Sequence, residues 1–243
     1  MRDAEKRYRA PFAFVERSAL SALQDTVYLF DVDNTLLDND AVVADLRAHL
    51  IETFGNTSAE RYWTCFEALR SELGYADYLG ALQRYRVDAD NDPHLLSMSA
   101  FLIDYPFASR LYPGALAALA HVQQWGQTAI MSDGDVVFQP RKIQRSGVWD
   151  AVEGRVLIYI HKEQMLADLQ RRYPAAHYVM VDDKLRILTA MKAVLRDRLT
   201  TVFVRQGHYA HDAELIRGLP VPDVTIEAIA DLIDLDLSKP GTA

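Results

Sequence analysis

Two aspartates two residues apart, Asp31 and Asp33, stand at the end of the apolar run Val27-Tyr28-Leu29-Phe30, with Asn34 and Thr35 directly behind them. Four apolar residues in a row, partly β-branched or aromatic, predict a strand buried on both faces. Carboxylates at the carboxyl end of such a strand are costly to bury without a cation beside them. In open parallel sheets the ligand crevice lies at that end. The segment therefore points to a nucleophile and a metal together. Asp33 or Asn34 would serve equally well as a helix cap or a turn residue, and the segment alone does not choose between the two readings.

Four further apolar runs stop at residues able to do chemistry. Residues 128–131 end in Ser132-Asp133-Gly134, 156–160 in His161-Lys162, 178–181 in Asp182-Asp183, and 201–204 in Arg205-Gln206-Gly207. If these strands are neighbours, Asp31, Asp33, Asp182 and Asp183 converge on a small volume. Two unit charges about 4 Å apart repel by about 4 kcal/mol at an effective dielectric near 20. Lys162 offsets part of this, and a divalent cation offsets more. Oxygen ligands without histidine or cysteine suit Mg2+, which takes one or two carboxylates and leaves positions for water and phosphate. A phosphorylated substrate follows as the expectation.

The elements that must position these residues are short apolar strands alternating with helical segments at 115–125, 162–172 and 185–195. That alternation predicts an α/β fold with a parallel sheet. The first two strands are separated by about ninety residues. Helical periodicity fills 40–54, 58–73, 75–86 and 93–105, with Gly55-Asn56, Gly74 and the acidic run 88–93 as breaks. One crossover helix would suffice, so four predict an all-helical insert over the carboxyl edge of the sheet. The expected division is a core of residues 1–38 and 107–243 and a cap of 39–106. Residues 238–243 are expected to be a loose tail.

A chain of 243 residues, half of them hydrophobic, has material for such a core and insert. The net charge of -8 argues against nucleic acid as a partner. A single cysteine, Cys65, cannot form an internal disulfide and suits a reducing compartment. No apolar run approaches membrane-spanning length, and the first seven residues lack the apolar core of a signal peptide. The expectation is a cytoplasmic monomer or homodimer without membrane or nucleic-acid partners. Two histidines, His208 and His211, fall in an apparent loop, where solvation is a commoner fate than metal binding.

With these residues in this order the chain resembles the haloacid dehalogenase-like hydrolase superfamily, from about Asp25 to Asp236. Its first motif, Asp-x-Asp-x-Thr, is matched by Asp31, Asp33 and Thr35. Its Ser or Thr is matched by Ser132, its Lys by Lys162, and its acidic pair by Asp182-Asp183. The resemblance implies a Rossmann-like core and Mg2+-dependent hydrolysis of a phosphate ester. Asp31 would attack phosphorus, and Asp33 would act first as acid and then as base. Ser132, Lys162 and the Asp133 N–H would hold the phosphate. Asp31, the Asp33 main-chain carbonyl, Asp182 and Asp183 would hold the metal, with Asp183 favoured as the direct ligand. Lys142 and Lys184 compete with Lys162, but Lys142 lies early for the motif and Lys184 looks like the start of the next helix.

Within the superfamily, dehalogenases lack the second aspartate because no alkoxide needs a proton, so Asp33 points away from that branch. Phosphonatases take a lysine from the cap, and residues 36–112 contain none. A phosphomutase or phosphotransferase acting on a sugar phosphate keeps the same residues and stays open, as does a non-catalytic binding protein on the same fold. In the cap, Tyr75, Tyr78, Arg84, Tyr85 and Arg86 either contact substrate or pack between helices.

Overall fold

The structure, a computed structural model, describes residues 24–238 apart from positions 88, 90, 91 and 93. The first seven residues, most of the acidic break at 88–93, and residues 239–243 of the expected tail lie outside the described residues. Six parallel strands form one sheet: β1 (Gln24–Phe30), β2 (Gln127–Asp133), β3 (Val156–Tyr159), β4 (Ala175–Asp182), β5 (Leu199–Val204) and β6 (Val224–Ile226). Their spatial order is β3-β2-β1-β4-β5-β6, so the chain reverses direction across the sheet between β1 and β4. A ligand crevice opens at such a switch point.

β1 is central, and the sheet is covered on both faces. Val27 and Leu29 pack with Met131, Tyr178 and Met180 into one core, while Tyr28 and Phe30 pack with Ile130, Val179 and Val181 into the other. This is the two-residue alternation of a strand buried on both sides. Phe30 pairs with Ile130 on one flank and Val181 on the other. One residue beyond these pairs lie Asp31 and Asp182, and two beyond Ile130 lies Ser132. The register alone therefore brings the three motifs to one edge.

Between β1 and β2 come four helices: α1 (Asn39–Phe54), α2 (Asn56–Leu73), α3 (Tyr78–Val87) and α4 (His94–Asp104). Gly55 and Gly74, both at positive φ, end the first two. Leu46, Leu50, Tyr62, Trp63 and Phe66 continue the apolar core of one sheet face upward into this cap. Beyond the cap, α5 (Ala115–Gln123) covers the sheet, and α6 (Phe138–Arg145) follows β2. Phe138 of α6 meets Tyr78 of the cap and Phe107, while Arg145 donates to the Asp104 carbonyl. α6 is thus the core helix on which the cap rests. No helix among the described residues is long and apolar enough to cross a membrane.

Candidate active site

Asp31 is buried, and its N–H donates to the Val181 carbonyl at 3.0 Å, one step past the β1–β4 ladder. Lys162 arrives from the loop after β3, in a short 3-10 turn, Lys162–Gln164, rather than inside one continuous helix over 162–172. Its Nζ lies 2.5 Å from Asp31 Oδ1 and 2.6 Å from Asp182 Oδ2. Burial alone would lower the lysine's pKa, but Asp182 and Asp31 outweigh it and hold it above its ordinary value.

Asp182 is further engaged through Oδ1, which accepts from the Lys184 N–H at 2.8 Å. Asp183 differs: both of its carboxylate oxygens are buried with no hydrogen-bond partner among the described residues, as is Asp31 Oδ2. The Asp183 N–H donates to Thr35 Oγ1 at 3.1 Å, tying the β4 loop to the β1 loop. Oxygens of Asp31, Asp182 and Asp183 lie within 4.8 Å of one another. Burial first, then neighbouring carboxylates, push the Asp183 carboxyl well above its ordinary value despite Lys184. Orphaned buried oxygens in an all-oxygen cluster are what a hard divalent cation satisfies, so these residues fit Mg2+. Among the described residues this is the one such group, and neither His208 nor His211 belongs to it.

Asp33 sits in the turn after β1, where Leu36 and Leu37 donate to the Val32 carbonyl and Asn34 takes a left-handed φ of 62°. Asn34 both turns the chain and caps α1, its Oδ1 accepting from the Asn39 and Asp40 N–H groups. The Asp33 side chain is a quarter exposed, whereas Asp31 beneath it is almost wholly buried. Lys142 Nζ lies 2.7 Å from Asp33 Oδ1 and 2.9 Å from Asn39 Oδ1. Gln139 Nε2 lies 3.4 Å from Asp33 Oδ2 and 3.0 Å from Ser132 Oγ. Lys142 is indeed not the lysine at Asp31, yet it belongs to the site. Gln139 and Lys142 are one helical turn apart on α6, a spacing that puts both on one face and is visible in the sequence.

Ser132 Oγ lies 3.4 Å from Asp31 Oδ1. Gly134 donates its N–H to Tyr159 of β3, so strand alternation turns the Asp133 N–H the other way, towards β1. The Asp133 side chain has its own task, Oδ1 accepting the Lys162 N–H at 2.7 Å. Its carboxyl is pushed up to about 6 by burial, against the pull of Lys162. Asp135 accepts from the Val137 and Phe138 N–H groups and so caps α6.

Above these residues a cavity of about 670 Å³ opens between core and cap, lined by Asp33, Asp133, Gln139, Lys142 and Lys184 below and by α1 and α2 residues above. From the cap come Arg47, Trp63, Arg70 and Tyr75. The Arg47 guanidinium lies over the Trp63 ring at 4.0 Å from its centroid. Of the cap residues named from the sequence, Tyr75 and Tyr78 line the cavity. Arg84 pairs with Glu72, Arg86 bonds Gln83, and Tyr85 is buried. Residues 208–211 are not a loop but part of a short helix, Gly207–His211, that meets the cap. Arg70 donates to the Tyr209 hydroxyl at 2.6 Å, and His208 Nδ1 lies 2.6 Å from Asp40 Oδ1.

The haloacid dehalogenase-like hydrolase family profile matches residues 26–194. A crystal structure described as a haloacid dehalogenase-like hydrolase from Burkholderia xenovorans LB400 is 67% identical over 87% of this chain and 99% of its own, with a TM-score of 0.83. L-2-haloacid dehalogenase from Xanthobacter autotrophicus shares the fold at 18% identity, over 86% of this chain and 97% of its own, with a TM-score of 0.57. A HAD-hydrolase from Bacillus subtilis, bound to magnesium, does so at 19% identity over 87% of this chain and 98% of its own, with a TM-score of 0.57. No curated protein matches the chain. With the motif residues gathered on one sheet edge and the profile spanning most of the core and the whole cap, the chain belongs to the haloacid dehalogenase-like hydrolase family.

Proposed function

We propose that this hydrolase is a magnesium-dependent phosphatase acting on a small phosphorylated metabolite through an aspartyl-phosphate on Asp31. The observation that carries the reading is Asp33. Its carboxyl faces the cavity two residues beyond the nucleophile, held by Lys142 and Gln139. A halide leaves without a proton, so a dehalogenase has no use for a second carboxyl there, whereas an alkoxide leaving from phosphorus does.

In this reading the Asp31 carboxylate attacks phosphorus through one oxygen and keeps the other for the cation, with Lys162 Nζ 2.5 Å from Oδ1 to offset its charge. Asp33 gives a proton to the leaving oxygen and later withdraws one from the water that attacks phosphorus. Ser132 Oγ and Lys162 Nζ, both beside Asp31, bind the phosphoryl oxygens. Asp31, Asp183 and Asp182, with the Asp33 carbonyl, would hold Mg2+, whose charge when bound offsets that of nucleophile and phosphate. The cap over the site favours small substrates and limits bulk water.

The test is acid quenching during turnover of p-nitrophenyl phosphate with Mg2+, followed by peptide mass analysis. A phosphorylated peptide containing Asp31, absent from Asp31→Asn, is expected. Steady turnover with no such peptide at any quench time, or full activity in Asp31→Asn, would overturn the assignment.

A further inference from the structure

Lys142 is only 1% exposed on its side chain, and a buried ammonium group needs acceptors for its three donors. The two side-chain acceptors it has are informative. One is Asp33 Oδ1, on the carboxyl assigned here as acid and base, and the other is Asn39 Oδ1, on the first residue of α1. Asp33 stands on a turn with its side chain a quarter exposed to the cavity, so the side chains that bond it are what hold its carboxyl in place. Lys142 stands on α6, which also carries the Arg141 and Arg145 bonds to the end of α4. One nitrogen therefore joins the acid–base carboxyl, the core helix under the cap, and the point where the cap begins.

We propose that Lys142 is a positioning residue for Asp33, and that its bond to Asn39 makes the placement of that carboxyl depend on the seating of α1. This rests on the phosphatase reading above. Because Lys142 donates to Oδ1, the transferable proton sits on Asp33 Oδ2, beside Gln139. As an oxygen of Asp31 bonds to phosphorus, the phosphorus–oxygen bond to the leaving group breaks. The proton on Oδ2 passes to that oxygen and leaves Asp33 as a carboxylate still paired with Lys142. Were α1 to shift away from α6, Asn39 Oδ1 would go with it, and Lys142 would lose the second side-chain acceptor that fixes its direction.

A role in aiming the acid leaves a signature that a general packing role does not. p-Nitrophenolate leaves without a proton, while phenolate departs more readily with one. Both substrates have nearly the same size, and kcat/KM counts only the steps up to transfer onto Asp31. Parent enzyme, Lys142→Met and Asn39→Ala would be measured on p-nitrophenyl phosphate and phenyl phosphate with Mg2+. Lys142→Met is expected to lose about tenfold or more on phenyl phosphate beyond its loss on p-nitrophenyl phosphate, within the range of general acid catalysis. Asn39→Ala is expected to shift the ratio in the same direction by less, and it tests the inference even if Lys142→Met does not fold. Equal losses on both substrates in each variant overturn the positioning role. A shifted ratio in Lys142→Met alone overturns the dependence on α1. A parent enzyme inactive on both substrates overturns the phosphatase reading and this inference with it, an outcome separate from active parent with proportional losses.

Discussion

Lys162 Nζ and Asp31 Oδ1 lie 2.5 Å apart although 131 residues separate them in the chain, and both side chains are almost wholly buried. Removing one member of a buried ion pair leaves the other uncompensated, at a cost of about 3–5 kcal/mol. Lys162→Met would strand Asp31 and Asp182 together. Urea denaturation should show a loss of stability of about that size, and phosphate release should fall to background. A variant as stable as the parent would contradict the electrostatic account of the pair.

The unpartnered oxygens of Asp183 and Asp31 predict a stabilising ligand. At about 100 times its dissociation constant, a ligand bound only by the folded state adds about 2.7 kcal/mol. For a chain of this size that is a rise in Tm of about 5–10 °C. Mg2+ should produce such a rise, chelation should reverse it, and Asp183→Asn should abolish most of it. Asp182, engaged by Lys162 and the Lys184 N–H, should matter less for Mg2+ affinity than Asp183 in matched titrations.

The Arg47 guanidinium sits over the Trp63 ring at the cavity wall, with no carboxylate partner among the described residues. A guanidinium so placed is suited to a second anionic group on the substrate. In a screen of phosphorylated metabolites, Arg47→Ala should raise KM about five- to tenfold for substrates carrying a carboxylate or second phosphate, in keeping with about 1 kcal/mol for a partly exposed pair. KM for p-nitrophenyl phosphate should rise less. A uniform rise across the screen would assign Arg47 to packing on Trp63 instead.

His177 on β4 bonds Thr200 Oγ1 at 2.9 Å, and burial, reinforced by Lys192, holds its pKa below the ordinary value. An unfolded histidine titrates near 6.5. As pH falls below about 6.5 the unfolded chain takes up a proton that the folded one resists, so stability present above that pH is lost on the way down. Denaturation of the parent at pH 7.5 and 5 should show this loss, and His177→Gln should reduce it. An equal pH dependence in the two proteins would remove His177 from the explanation.

The sheet and its catalytic edge are legible in the chain because its central strands are short apolar runs buried on both faces, and they stop at polar residues. Asp31, Ser132, Lys162 and the Asp182-Asp183 pair all announce themselves this way. β6 does not, since Val224–Ile226 is a three-residue edge strand with a weak apolar signal. Gln139, and the pairing of Lys142 with Asp33 rather than Asp31, are not legible in this way. Both side chains reach the crevice from the flank of α6, and which face of a helix turns to a site is settled by packing, here Phe138 and Ile143 against the core. The same holds for Arg47 and Arg70 in the cap. Residues 207–211 form one helical turn anchored by Asp40 and Arg70, with Gly207 in close approach to Asn34, contacts distant in sequence.

We propose that Asp33 directs this site to phosphate esters, on a fold shared with dehalogenases. One paired measurement tests it most directly: phosphate released from p-nitrophenyl phosphate and chloride released from 2-chloropropionate, by the same preparation, with Mg2+ and after chelation. The account predicts phosphate release that disappears on chelation and returns with Mg2+, and no chloride release in either condition. Chloride release without phosphate release, undiminished by chelation, would contradict it.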